Sequence, residues 1–167
     1  MQFKQIIFVG IDPAFRKEGF AVAILDEENT VRFKMFKNGF MDFIGWMLND
    51  RPEHLVVGVE NSNMEKALFA RHKNSVAAAM NVGKNQAASQ FTVDFCRGVI
   101  GKDKVIQISP SQKGKKITND LFFRGLVRAN GHRLDETYRG LQKEQDKRDA
   151  YVILTQARTA YRMRRRY

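Results

Sequence analysis

The chain has 167 residues, of which 43% are hydrophobic and 28% are charged, and its formal net charge is +11. This composition predicts one globular domain and excludes a disordered chain, and no apolar run reaches the roughly 18 residues of a membrane-spanning helix. The N-terminal residues lack a secretory pattern, and the single cysteine, Cys96, excludes an internal disulfide, so we expect a cytoplasmic protein.

The positive charge is distributed unevenly along the chain. Residues 101–133 carry eight lysines and arginines against two acidic residues, and residues 158–167, RTAYRMRRRY, add five arginines. Such an excess is typical of proteins that bind a polyanion, above all nucleic acid. An anionic membrane surface is the alternative, but the tail lacks the strong apolar face of a membrane-binding helix. We therefore expect a nucleic-acid partner and no membrane.

The apolar runs and turn signals, taken in chain order, predict an α/β fold with a five-stranded mixed sheet flanked by helices. Strands are predicted at residues 6–12, 19–25, 31–37, 54–60 and 104–109. Helices are predicted at residues 41–49, 74–99, 117–129 and 143–164. Short polar turns join the first three strands, which could form an antiparallel meander. With no repeat and no linker, residues 1–167 should form a single domain with a basic C-terminal tail.

Two of the buried strands end on an acidic residue. Asp12 follows Gly10 by two positions, and Glu60 follows Gly58 by two positions. Side chains two apart on a strand share a face, so each acid should lie beside bare backbone with room for another element or an ion. If the two strands are parallel neighbours, their carboxylates should meet at the carboxyl edge of the sheet, where ligands bind in such folds.

The last predicted helix brings two more carboxylates. Asp146 and Asp149 begin the helix face that continues with Ala150, Ile153 and Ala157, whereas Lys147 and Arg148 should point elsewhere. Acids in a first helical turn are also favourable for the helix dipole, which is the alternative explanation of this pair. That explanation leaves open why both acids lie on the apolar face.

Together these four carboxylates predict a metal site. Two unit charges about 4 Å apart repel by about 4 kcal/mol at an effective dielectric constant of about 20, so four require cations. Oxygen ligands without a His or Cys cluster favour Mg²⁺, with Mn²⁺ as a substitute. Such carboxylates can hold two ions that promote phosphodiester hydrolysis. We therefore expect Asp12, Glu60, Asp146 and Asp149 to be both metal ligands and catalytic residues.

Three motifs resemble the RuvC-type Holliday junction resolvases, members of the RNase H-like superfamily. GIDPAFRKEGFAV resembles the start of that family, VGVEN its second acidic strand, and DKRDA its C-terminal D-x-x-D-A helix. The resemblance implies an RNase H-like fold, a homodimer, and Mg²⁺-dependent nicking of four-way DNA junctions. It also places the catalytic acids on Asp12, Glu60, Asp146 and Asp149, and a DNA-contacting arginine of the first turn on Arg16. A phage-borne member, acting in a bacterial or phage-infected cell, is the implied setting.

The sequence departs from the family pattern at several places. Ala14 replaces the usual glycine after GIDP, and the basic loop SPSQKGKK matches the family's lysine-bearing loop only loosely. The catalytic lysine could therefore be Lys113, Lys115 or Lys116, and all three should contact nucleic acid.

The family's junction-wedging aromatic is also ambiguous. Phe69 is one candidate, Met64 lies closer to the family spacing, and Phe69 as a core residue is the alternative. Aromatic stacking on a base is worth about 1–3 kcal/mol. The small residues after Asn74 could pack helices across the sheet or across a dimer axis. The three histidines, His54, His72 and His132, are expected to be non-catalytic.

Two other functions remain open from the sequence. One is another RNase H-like nuclease that acts on RNA or on DNA ends, which differs from a resolvase in not requiring a symmetric dimer. The other is a non-catalytic nucleic-acid-binding module, which would gain nothing from four negative charges facing phosphate.

Overall fold

The computed structural model describes residues 5–14, 19–64, 76–114, 117 and 120–165, although the side chains of 76–79, 120–124 and 142 lie outside that description. The strands are β1 (Ile7–Asp12), β2 (Phe20–Leu25), β3 (Thr30–Phe36), β4 (Leu55–Glu60), β5 (Val105–Ile108) and β6 (Arg133–Leu134). The α-helices are α1 (Phe40–Asn49), α2 (Val76–Ile100), α3 (Pro110–Lys113), α4 (Asp120–Ala129) and α5 (Gln145–Arg164). Short 3₁₀ turns span Ser62–Met64, Lys102–Lys104 and Gln142–Glu144.

The strands form one mixed sheet with the order β5-β4-β1-β2-β3-β6. Strands β1, β2 and β3 pair antiparallel, which confirms the predicted meander, whereas β4 joins β1 in parallel and β5 joins β4 in parallel. The mixed α/β architecture is thus as expected, but the strand count of five is wrong. The sixth strand consists of two residues that pair with Thr30 and Val31 of β3. Two residues are too short to show any periodicity.

Apolar side chains cover both faces of the sheet. On one face, Phe8 of β1 and Val56 of β4 pack in a cluster with the buried side of α5. On the other face, Val9 and Ile11 belong to a cluster with α1 and α2. Cys96 lies in this second cluster with no exposed surface, so its thiol is packed inside the protein. In the described ranges, no helix combines the length and apolar character needed to cross a bilayer.

The two strand glycines provide the seat for α5. A Cβ built on Gly10 would lie 2.1 Å from the carbonyl oxygen of Ala150, and one on Gly58 would lie 2.5 Å from the Cβ of Ala157. Because only hydrogen fits at both positions, the helix backbone approaches β1 and β4 directly. The space expected above these glycines is therefore filled by another element, and this contact brings the start of α5 to the ends of the two strands.

Candidate functional site

An open cleft of about 790 Å³ lies at the carboxyl ends of β1 and β4. The four carboxylates expected to converge, those of Asp12, Glu60, Asp146 and Asp149, all line this acidic cleft. The strand register explains why Asp12 and Glu60 lie at the same edge. Gly10 is the parallel partner of Gly58, and the two strands therefore end level with each other. Asp146 and Asp149 reach the same cleft because α5 packs against these two glycines.

Lys113 forms ion pairs with the carboxylates of the acidic cleft. Its ammonium group forms a close ion pair with Glu60 Oε2 and lies 3.5 Å from Asp149 Oδ2, while its side chain is only 12% exposed. Of the three loop lysines that the sequence left open, Lys115 and Lys116 lie outside the described residues. Within the described ranges, Lys113 is the loop lysine that contacts the carboxylates.

Local capping explains how Lys113 reaches this position. Ser109 caps the short helix α3 through its hydroxyl, which accepts from the Gln112 backbone N–H, and Gln112 Oε1 accepts in return from the Ser109 N–H. Pro110 occupies the first turn, where its missing N–H costs nothing. Gly114 ends the helix with a positive φ of 81°. Within the segment expected to be a basic loop, Pro110–Lys113 thus form a helical turn shortly after β5.

The carboxylates and the lysine shift one another's protonation. Burial raises the pKa of Asp12 to about 8, opposed by Lys113 and reinforced by the nearby Glu60, Asp149 and Asp146. Burial disfavours the charged form of Lys113, but the carboxylates of Asp12, Glu60 and Asp149 outweigh it, so the pKa of Lys113 lies above its ordinary value. Burial is thus the main reason that the pKa of Asp12 is raised, and Lys113 opposes it only in part.

Arg148 and Glu144 hold the start of α5 in place. Arg148 is 1% exposed and donates to the carbonyl oxygens of Ile117 and Leu141 and to the Tyr138 hydroxyl. The expectation that Arg148 points elsewhere, as an ordinary neighbour of the two aspartates, missed this buried role. Local spacing contains no signal for it, because its partners lie in the preceding segments.

Glu144 closes the turn before α5. Its carboxylate accepts from the backbone N–H groups of Arg139 and Leu141 and pairs with Lys147 at 2.6 Å. These bonds lower the pKa of the Glu144 carboxyl, although burial acts in the opposite direction. The contact also shows where Lys147 goes, which is away from the acidic cleft as expected.

Asp149 lies deeper in the cleft than Asp146. Asp149 is 4% exposed and accepts a hydrogen bond from Gln145 Nε2 at 2.7 Å, whereas Asp146 is half-buried. The helical spacing of the pair thus gives two carboxylates of different depth at one wall.

Polar residues of α2 also line the acidic cleft, and sequence reasoning missed them. They are spaced as on one side of a helix: Asn81, Lys84, Asn85 and Ser89. That spacing of polar residues within a small-residue helix was the available signal. Within the same helix Ala88 is 1% exposed, so this small residue packs inside the protein.

The other predicted contact residues are only partly described. Arg16, Phe69 and His72 lie outside the described residues. Met64 ends the turn after Glu60 and is 48% exposed, so it is available to a ligand. His54 and His132 lie outside the acidic cleft, as expected of non-catalytic residues.

The chemistry of the donor set fits a hard divalent cation. The acidic side chains that line the cleft offer only oxygen donors, which hard divalent cations prefer. Among the described residues, no three His, Cys, Asp or Glu side chains stand close enough to form a ready-made cage. The arrangement is an open set of oxygen donors at which an ion and an anionic substrate could meet.

The sequence matches no protein-family model and no curated protein.

Proposed function

We propose that this protein is a divalent-metal-dependent DNA endonuclease that cleaves four-way junctions. The observation that carries the proposal is the convergence of four carboxylates on one open cleft in a chain of net charge +11. A strongly basic protein has no evident use for an acidic cleft at its nucleic-acid surface unless cations occupy it. The geometry and the charges of the acidic cleft support this proposal. The choice of a four-way junction as the substrate rests on the resemblance of three sequence motifs to RuvC-type resolvases.

The carboxylates of Asp12, Glu60, Asp146 and Asp149 would hold Mg²⁺ or Mn²⁺. When bound, the metal would lower the pKa of water and stabilise the leaving oxygen in phosphodiester hydrolysis. Lys113 would orient the carboxylates of Glu60 and Asp149 and offer its ammonium group to a phosphate oxygen. The polar residues of α2 that line the cleft, Lys84 and two asparagines among them, would position the DNA backbone near the acids.

The fold proposed here is RNase H-like. The antiparallel meander, the parallel strands β4 and β5, and an acid-bearing helix over β1 and β4 support it. We also propose a symmetric homodimer, because a four-way junction offers two equivalent strands and a two-fold dimer would present one site to each. Sedimentation of the protein with and without junction DNA tests this, and Ala78→Arg tests whether α2 contributes to the interface.

The catalytic proposal is tested with Asp146→Asn, which removes charge from the half-buried wall and keeps the shape. We expect cleavage of a four-way junction in Mg²⁺ to fall by orders of magnitude, while junction binding in EDTA is retained. Glu53→Gln is the matched control, because Glu53 is 85% exposed and lies outside the acidic cleft. Its cleavage rate should equal that of the wild type.

Each alternative function has its own outcome in this assay. Near-normal cleavage by Asp146→Asn would remove the metal assignment. Cleavage of RNA or of linear DNA ends by a monomer, with junctions left intact, would favour another RNase H-like nuclease. Binding without any cleavage in Mg²⁺ or Mn²⁺ would favour the non-catalytic module.

A further inference from the structure

A second cleft lies at the opposite end of α5. Between Asp149 and Arg162 the helix rises about 20 Å, at about 1.5 Å per residue. This cleft has a volume of about 700 Å³ and lies between the start of β1, the β2–β3 turn and the last turns of α5. Its basic residues are Arg158, Arg162 and Arg165, and we call it the arginine cleft. None of its lining residues belongs to the acidic cleft.

Arg158 and Arg162 share one side of α5, because they are four residues apart, and Arg165 follows directly after the last residue of the helix. In the described part of the chain, none of the three forms an ion pair with a carboxylate. Arg162 and Arg165 are exposed, and Arg165 stacks over the ring of Tyr161 at 5.0 Å. Three positive charges therefore face one cleft without compensation.

The acid that lines this cleft is already used by its own turn. Asp26 Oδ1 accepts from the backbone N–H groups of Glu28 and Thr30, at 3.0 and 2.8 Å, and Oδ2 lies 3.8 Å from Arg32. Asp26 thus shapes the β2–β3 turn and pairs with a cation outside the arginine cleft. It leaves the three arginines free to bind an anion.

Buried neighbours hold Arg158 in position. Its Nη1 lies 2.6 Å from His132 Nε2, and His132 Nδ1 lies 2.9 Å from the Tyr151 hydroxyl. Burial, and after it the charges of Arg158 and Arg162, lower the pKa of His132 to about 4, so the neutral ring accepts from Arg158 near pH 7. The Arg158 Nε is buried with no hydrogen-bond partner among the described residues. Two buried side chains, those of His132 and Tyr151, thus hold the Arg158 guanidinium in position without neutralising its charge.

We propose that the arginine cleft binds backbone phosphates of nucleic acid at a distance from the acidic cleft. Guanidinium groups pair with phosphate oxygens in a bidentate fashion, and the cleft is open, as a continuous backbone requires. The choice of nucleic acid over a small phosphate compound rests on the proposed function. A separation of about 20 Å corresponds to about six nucleotides along one strand, at 3.4 Å each.

The test compares two double variants with the same charge change. Arg162→Gln with Arg165→Gln removes the two exposed arginines of the cleft. Lys34→Gln with Lys102→Gln removes two exposed lysines that line neither cleft. Dissociation constants for a duplex and a four-way junction are measured by fluorescence anisotropy in EDTA, over a range of salt concentrations. Melting curves verify that both variants are folded.

We expect the arginine variant to flatten the plot of log K against log salt by about 2, since each duplex phosphate contact contributes about 0.9. The lysine variant should leave the slope near the wild-type value. An unchanged slope in the arginine variant overturns the proposal. Equal flattening in both variants also overturns it, because binding would then follow net charge alone.

Two further comparisons distinguish nucleic acid from free phosphate compounds, and the arginine-cleft proposal from the proposed nuclease function. If inorganic pyrophosphate raises the melting temperature of the wild type but not of the arginine variant, while the DNA slopes are equal, the cleft binds free phosphate compounds and the nucleic-acid proposal fails. Junction cleavage with unchanged slopes rejects the arginine cleft and leaves the nuclease standing. A flattened slope without junction cleavage supports the arginine cleft and rejects the nuclease.

Discussion

The α-carbon of Gly10 and the carbonyl oxygen of Ala150 are in such close contact that a Cβ on Gly10 would lie 2.1 Å from that oxygen. This contact joins the strand that carries Asp12 to the helix that carries Asp146 and Asp149. The position of the acids relative to one another therefore depends on a residue with no side chain. A methyl group there must push the helix away from the sheet.

The first prediction follows from this contact. Gly10→Ala should destabilise the protein by about 3 kcal/mol or more, because overpacking against backbone atoms cannot be relieved by a rotamer change. Gly45→Ala is the matched control, since a Cβ on Gly45 of α1 meets nothing within 4 Å. The control should stabilise the protein by about 0.5–1 kcal/mol through helix propensity. Urea unfolding measures both, and a neutral Gly10→Ala would contradict the direct seating of α5.

The second prediction concerns Lys113 as the counterion of the acids. Lys113→Met should lower the free energy of unfolding in EDTA by about 3 kcal/mol, because it leaves the buried carboxylates of Glu60 and Asp149 without their cation. Lys102→Met, at an exposed lysine, should change it by no more than about 0.5 kcal/mol.

Magnesium gives this prediction a second readout. Added Mg²⁺ should raise the melting temperature of Lys113→Met more than that of the wild type, since the ion would supply the missing positive charge. Equal stability of the two proteins in EDTA would show that Lys113 does not compensate the cluster.

The third prediction concerns Arg148, which connects the start of α5 to the preceding segments. Arg148→Met should cost about 3 kcal/mol or more, because the carbonyl oxygens of Ile117 and Leu141 would each lose a charged donor. Arg128→Met, at an exposed arginine of α4, is the control and should be nearly neutral. Chemical denaturation compares the two, and comparable small losses would argue that Arg148 is replaceable by packing alone.

The fourth prediction is a pH dependence that originates at His132. The folded pKa of about 4 lies below the ordinary value of 6.5, so the unfolded chain gains a proton between these pH values while the folded protein does not. The contribution of His132 to stability is therefore complete above about pH 6.5 and falls as the pH drops toward 4.

Two measurements examine this dependence. In the wild type, the His132 ring resonance should titrate near pH 4 by NMR. The loss of unfolding free energy between pH 7 and pH 5 should be smaller in His132→Gln than in the wild type. A His132 midpoint near 6.5 would contradict the placement of the ring beside Arg158.

Local sequence patterns were sufficient to predict the local features of this protein. Strand periodicity and turn residues predicted the meander of β1, β2 and β3, and the helical spacing of Asp146 and Asp149 placed them on one face. The ends of the helices were predicted less accurately than their positions. The last two helices begin at Asp120 and Gln145 and not at residues 117 and 143. Capping and packing decide such boundaries, and neither follows from periodicity.

The sequence predicted that the four acids meet, but the contacts that bring them together and surround them are visible only in the folded protein. Only the parallel register of β1 and β4 and the seat of α5 on Gly10 bring the four acids to one cleft. Arg148, Lys113 and Arg158 likewise contact residues outside their own local sequence. These contacts bury Arg148, bring Lys113 to the acidic cleft and hold Arg158 beside His132. Local spacing encodes which face a side chain takes, whereas long-range packing determines what that face meets.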